Sequence, residues 1–194
     1  MILSDKHKFI YVAPPKTATT TLYPFFSRYG TKIGTKHRGS LRVYAEKGYS
    51  GWKEYFSFVS VRNPWARMVS EYFYSKSRTP IKSLRSKANS FSFEEFVAWR
   101  IGEKGASGTV MHYFVNGHDV NTDIVLPYDD SIRVEHIQED FDRICANIGL
   151  PSKQLRKRNS TKHKHYRDYY KSKEIIDLVG QVYAKDISFT GYSF

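Results

Sequence analysis

Lys16 stands ahead of Thr17, Thr19, Thr20 and Thr21, so one short segment carries a full positive charge and four hydroxyl donors. Groups of these types close together hold an oxyanion such as phosphate or sulfate. The flanking sequence says how they are placed. Phe9 to Ala13 is a short apolar run with the character of a strand, expected over 8–13, and Pro14 and Pro15 stop it. Leu22, Phe25 and Phe26 then recur at helical spacing, which predicts a helix over 17–28. A turn that opens a helix presents free backbone N–H groups and the positive end of the helix dipole to an anion. The loop is not a Walker A loop: the glycine pattern is missing and the lysine precedes the hydroxyls, which disfavours a nucleotide kinase. A threonine-rich helix cap beside an incidental lysine has the same composition.

A second segment repeats the arrangement. Tyr55 to Val61 is aromatic and β-branched, a strand, and runs into Arg62-Asn63-Pro64-Trp65 and on to Ser70. Pro64 suits a first helical turn, predicting a helix over 64–77. Arg62 then sits at the carboxyl end of a strand, where open α/β sheets collect ligands. Ser70 follows about two helical turns later, and Arg67 is expected to be structural or part of a surface ion pair.

These two segments resemble the sulfotransferases that use 3′-phosphoadenosine 5′-phosphosulfate (PAPS), in particular their carbohydrate sulfotransferase branch. Pro15 to Leu22 is similar to that family's 5′-phosphosulfate loop, and Arg62-Asn63-Pro64 through Ser70 to its 3′-phosphate motif. The resemblance implies that Lys16, Thr17, Ala18, Thr19, Thr20 and Thr21 hold the 5′-phosphosulfate and that Arg62 and Ser70 grip the 3′-phosphate. It also implies adenosine 3′,5′-bisphosphate as product. Where the family usually has glycine this chain has Ala18, whose methyl group crowds the approach to a phosphate. The likeness extends through Arg133-Val134-Glu135 and the tail to Phe194, and implies weaker binding roles for Arg158, Asn159, Ser160 and Thr161 in a basic loop; a solvated charge run is the alternative there.

Transfer of a sulfuryl group to a hydroxyl needs a cationic clamp and a base. Lys16 is the clamp. Histidine suits the base, and the chain offers His7, His37, His112, His118, His136, His163 and His165. Similar carbohydrate sulfotransferases carry a candidate catalytic histidine between the two motifs, which selects His37. Glu94 and Glu95 are reserve bases, and Glu135 is expected to cap a helix or form an ion pair. Neighbouring lysines argue against a metal at His163 and His165, so no metal site is assigned.

Further helices are expected over 92–102, opened by Ser92 and Glu95, over 135–149, ended by Gly149 and Pro151, and over about 173–186. Asp123 to Leu126 and Ser131 to Val134 have the character of short strands, and 78–90 that of a mobile surface loop. The alternation predicts an α/β fold with a central parallel sheet flanked by helices, in the three-layer, P-loop-like manner that the resemblance implies. With 194 residues, one domain over 1–194 is expected.

The formal charge of +12 calls for an anionic partner or a lysine-rich solvated surface. The single cysteine, Cys145, falls in the stripe of Ile137, Phe141, Ile144 and Ile148 and is expected to be buried and inert. A lone thiol and the lack of a long apolar span or signal-like segment point to a cytoplasmic protein without a membrane anchor. The acceptor is a hydroxyl-bearing compound, with a carbohydrate, acidic or not, as first choice; Tyr44, Tyr49, Trp52, Trp99 and Tyr113 could stack on sugar rings or serve the core. Oligomeric state is not legible. The alternatives are a basic nucleic-acid-binding protein, disfavoured by the absence of any RNP, zinc-finger or helix-turn-helix signature, and a nucleotide-binding relic without turnover.

Overall fold

The computed structural model describes residues 1–34, 54–104, 128–156 and 163–194. Its strands are β1 (Ile2–Ser4), β2 (Phe9–Val12), β3 (Thr31–Lys32), β4 (Phe56–Val61) and β5 (Asp130–Arg133). The helices are α1 (Thr19–Phe26), α2 (Pro64–Ser77), α3 (Lys82–Ser90), α4 (Phe93–Lys104), α5 (Ile137–Asn147), α6 (Lys173–Val182) and α7 (Ala184–Thr190). Single 3-10 turns occupy Val134–His136 and Tyr166–Tyr169. The strands with α1 and α5 make one compact unit and the other helices a second.

The first unit is built on a five-stranded sheet of order β3-β1-β2-β4-β5. β2, β4 and β5 run parallel, with Val12 opposite Val59 and Val61 opposite Arg133. β1 is antiparallel to both its neighbours, so the sheet is mixed where an all-parallel one was expected. The two antiparallel strands escaped notice because three and two residues are too few to display an alternation. β1 also lies close to Gly30: a Cβ there would stand 2.5 Å from the Leu3 carbonyl oxygen, so only glycine fits.

Side chains of β2 and β4 are buried on both faces, as a strand inside an α/β sheet requires. One face carries Phe9, Tyr11, Phe58 and Ile132 and packs under α1 and α5, whose Phe25 and Phe141 rings meet edge-on at 4.7 Å. The expected stripe on α5 is realised: Phe141, Ile144 and Cys145 are fully buried. Burial, then the negative charge of Asp142, push the Cys145 thiol up to about 12, the behaviour of an inert core residue. α5 starts after the 3-10 turn and ends where Gly149 adopts φ +65; Gly149 N donates to Ala146 O and Leu150 N to Cys145 O, closing a Schellman motif.

In the second unit α2 is the hub. Asn63 caps it by accepting from Ala66 N at 3.1 Å, while its amide donates to the Ser193 carbonyl at 2.8 Å. Trp65 Nε1 donates to Ile176 O, and Tyr170 donates its hydroxyl to Trp65 O, each at 3.0 Å. Arg67, 1% exposed, donates to the Tyr183 hydroxyl at 2.8 Å, which makes it structural rather than a surface residue. Residues 78–90 are not a loop: Lys82–Ser90 is helical. Only Ala88 of that helix is buried, so it has almost no apolar stripe by which to be recognised. The helix expected over 173–186 breaks at Tyr183 into α6 and α7.

Candidate functional site

β2 and β4 are adjacent and parallel, so their carboxyl ends bring the Ala13-to-Ala18 turn and Arg62 to the same edge of the sheet. The turn is tightly specified. Lys16 and Ala18 both lie in the left-handed region, at φ 68 and φ 57, while Thr17 between them does not. Non-glycine residues enter that region at a cost of about 1–2 kcal/mol each, so two within three residues need a strong constraint. Alternating signs of φ also turn successive N–H groups to one side, the arrangement of an anion-binding nest.

The constraint is Thr17. Its side chain is fully buried; its hydroxyl donates to the Pro14 carbonyl at 2.7 Å and meets the Ser60 hydroxyl at 2.7 Å. Ser60 in turn meets the Tyr11 hydroxyl at 3.1 Å. Burial holds the Tyr11 phenol well above its usual range, so it stays protonated as a donor. Thr17 therefore spends its hydroxyl inside the protein.

Ala18 is the cap residue of α1 and supplies no side-chain hydrogen bond; its carbonyl accepts from Thr21 N and Leu22 N. The first turn of α1 holds no acidic residue. The positive end of this dipole thus meets no carboxylate of its own helix turn and lies beside Lys16 and the half-buried Thr20 and Thr21, while Thr19 is buried. α2 differs: Asn63 fills its amino end, and Ser70 lies half-buried on its seventh residue. Arg62, half-buried, directly follows β4.

Other candidates fall elsewhere. Glu94 accepts from Lys171 N and Ser172 N, both at 2.8 Å, and Glu95 forms a capping box with Ser92, its carboxylate accepting from Ser92 N at 2.7 Å. Both reserve bases thus hold backbone. His163 stacks on Phe73 at 5.3 Å, and His136 lies 3.6 Å from Glu139 near the surface. Trp99 packs against Phe91 and Phe96, as a core residue does. His37, His112, His118, Tyr44, Tyr49, Trp52, Tyr113, the Asp123-to-Leu126 segment, and Arg158, Asn159, Ser160 and Thr161 lie outside the described residues.

Ser60 and Tyr11 are the residues that sequence reasoning missed. The available signal was a serine two places after Phe58, on the face of β4 that is otherwise apolar.

A mixed α/β sheet whose parallel strands end in a basic, uncapped helix start is an arrangement suited to an anionic group. The model of the Sulfotransferase family matches residues 1–193, and the chain belongs to that family. No curated protein and no solved structure matched it. It is accordingly a sulfotransferase, an enzyme of sulfuryl transfer. Among the described residues no helix is long and apolar enough to cross a membrane.

Proposed function

We propose that the chain transfers the sulfuryl group of PAPS to an acceptor hydroxyl, on a carbohydrate in first place, and that the turn between β2 and α1 is its 5′-phosphosulfate loop. The observation that carries this is the paired left-handed conformation of Lys16 and Ala18 around a buried Thr17, ahead of an uncapped helix. Strain of that kind is retained where a ligand repays it. The donor set fits the group: backbone N–H groups, the Thr20 and Thr21 hydroxyls and a lysine are what a phosphosulfate needs, and the loop is P-loop-like in use though not in sequence. The match over residues 1–193 supports one sulfotransferase domain over the whole chain.

PAPS supplies an activated sulfuryl group when bound and leaves as adenosine 3′,5′-bisphosphate. Lys16 neutralises charge on the oxygens of the 5′ group, and the amino end of α1 adds its dipole at no cost of reorganisation. Arg62 and Ser70 hold the 3′-phosphate, with Arg158, Asn159, Ser160 and Thr161 as further contacts. His37 accepts the proton of the acceptor hydroxyl. A cytoplasmic location belongs to the same proposal, supported by the buried, undissociated thiol of Cys145.

Calorimetric titration with adenosine 3′,5′-bisphosphate, against AMP and ATP at moderate salt, tests the assignment. Selective binding of the 3′-phosphorylated nucleotide is expected; equal binding of all three would overturn it in favour of generic charge attraction.

A further inference from the structure

We infer that Ser60, backed by Tyr11, is a positioning residue for the anion loop, acting through Thr17 to hold Lys16 and Ala18 in their binding conformation. The inference rests on the sulfotransferase assignment for its ligand, and on hydroxyl geometry for its mechanism. A hydroxyl has one hydrogen to give. Thr17 gives its own to the Pro14 carbonyl, so in the Thr17–Ser60 contact Ser60 must be the donor. With that hydrogen spent, the Tyr11–Ser60 contact must run from the tyrosine. The result is a one-way chain, Tyr11 to Ser60 to Thr17 to Pro14 O, that starts on β2, crosses to β4 and ends in the turn.

Every hydroxyl in the chain belongs to a residue at 0% exposure, so water cannot replace a lost partner. Thr17 is also the one residue between two left-handed neighbours. Freed from Ser60 it can leave its pocket, and both neighbours then relax toward ordinary backbone, carrying the loop's N–H groups away from a common centre. Ser60 touches no ligand itself. Its effect is on the population of the binding conformation, and affinity falls with that population.

The test compares the parent protein with Ser60→Ala and with Ile144→Val, a core change in the same unit that spares the chain. Two quantities are read at a temperature where all three are fully folded: the dissociation constant for adenosine 3′,5′-bisphosphate, and hydrogen exchange of the segment 13–22. Ser60→Ala is expected to weaken binding about tenfold, the worth of about one buried hydrogen bond, and to speed exchange in the loop by a similar factor. Ile144→Val should stay within about twofold of the parent in both. Unchanged exchange and affinity in Ser60→Ala would overturn the inference, as would an equal loss in Ile144→Val. A parent that binds no adenosine 3′,5′-bisphosphate defeats the donor assignment instead, and loop exchange then decides the role of Ser60 alone.

Discussion

The side chains of Thr17 and Ser60 meet hydroxyl to hydroxyl at 2.7 Å across 43 residues of sequence, fastening the basic turn to the strand that leads into Arg62. Through that bond the two halves of the candidate cofactor site share one frame. The loop carrying Lys16 cannot shift along β4 without breaking it, and the bond lies where no water reaches. The basic turn is therefore held by a residue whose side chain points into the protein.

Ala18→Gly should stabilise the protein. Ala18 sits at φ 57 and ψ 26, where its Cβ costs about 1–2 kcal/mol, while glycine loses about 0.5–1 kcal/mol through the freedom of the unfolded chain. A net gain of about 0.5–1 kcal/mol is expected in urea unfolding, with affinity for adenosine 3′,5′-bisphosphate kept or improved. Loss of affinity would mean that the methyl group itself contributes to the loop's shape.

Lys16→Ala and Arg62→Ala separate the two ends of the nucleotide. Alanine keeps the left-handed cost at position 16, so the first change leaves the backbone strain as it was. Each lost charge-assisted contact is worth about 1.5–3 kcal/mol, or about ten- to a hundredfold in affinity. Lys16→Ala should weaken AMP and adenosine 3′,5′-bisphosphate alike. Arg62→Ala should weaken only the latter, so that calorimetry on the pair of ligands assigns each residue its phosphate.

His37→Ala should leave nucleotide affinity within about twofold and remove most transfer, since a positioned base contributes about 10²–10⁴ in rate. Sulfate transfer from labelled PAPS to a panel of hydroxyl acceptors reads the outcome. Turnover equal to the parent's would move the base to another residue.

What the sequence revealed follows from how each signal is encoded. β2, β4 and α2 were legible because apolar runs and a proline at the first helical turn are local signals. The Ser92–Glu95 capping box and the Gly149 stop were equally local. β1 and β3 are too short to carry a period, and α3 is held with a single buried side chain, so neither announces itself. At the site, Lys16 and Arg62 were named from residue type and position. The hydroxyl chain was not, because a partnership between Thr17 and Ser60 exists only once β2 and β4 lie side by side. The same holds for the buried bonds of Thr17 to Pro14 and Ser60, since a hydroxyl in a basic loop reads from sequence alone as a ligand donor.

Asp140 gives the fold a pH dependence of known sign. The carboxylate is fully buried at the start of α5, where one oxygen accepts from Arg133 N at 2.8 Å and from Arg133 Nε at 2.9 Å. The other accepts from Arg133 and Arg143, each at 2.8 Å. Burial by itself would raise its pKa, but the hydrogen bonds and charge of Arg133 prevail and hold it below the usual value of 3.8. The unfolded chain therefore takes up this proton first as pH falls. Stability from the cluster is fully present above the unfolded value and is lost as pH drops through the lower folded one. Urea midpoints of the parent should decline on going from about pH 5 to about pH 3, and those of Asp140→Asn should start lower and decline less. Asp140→Asn removes a buried acceptor charge from two partly exposed arginines, of which Arg143 keeps its pair with Asp130, and should cost about 1–3 kcal/mol near neutral pH. Equal acid slopes in the two proteins would show that other carboxylates govern acid unfolding.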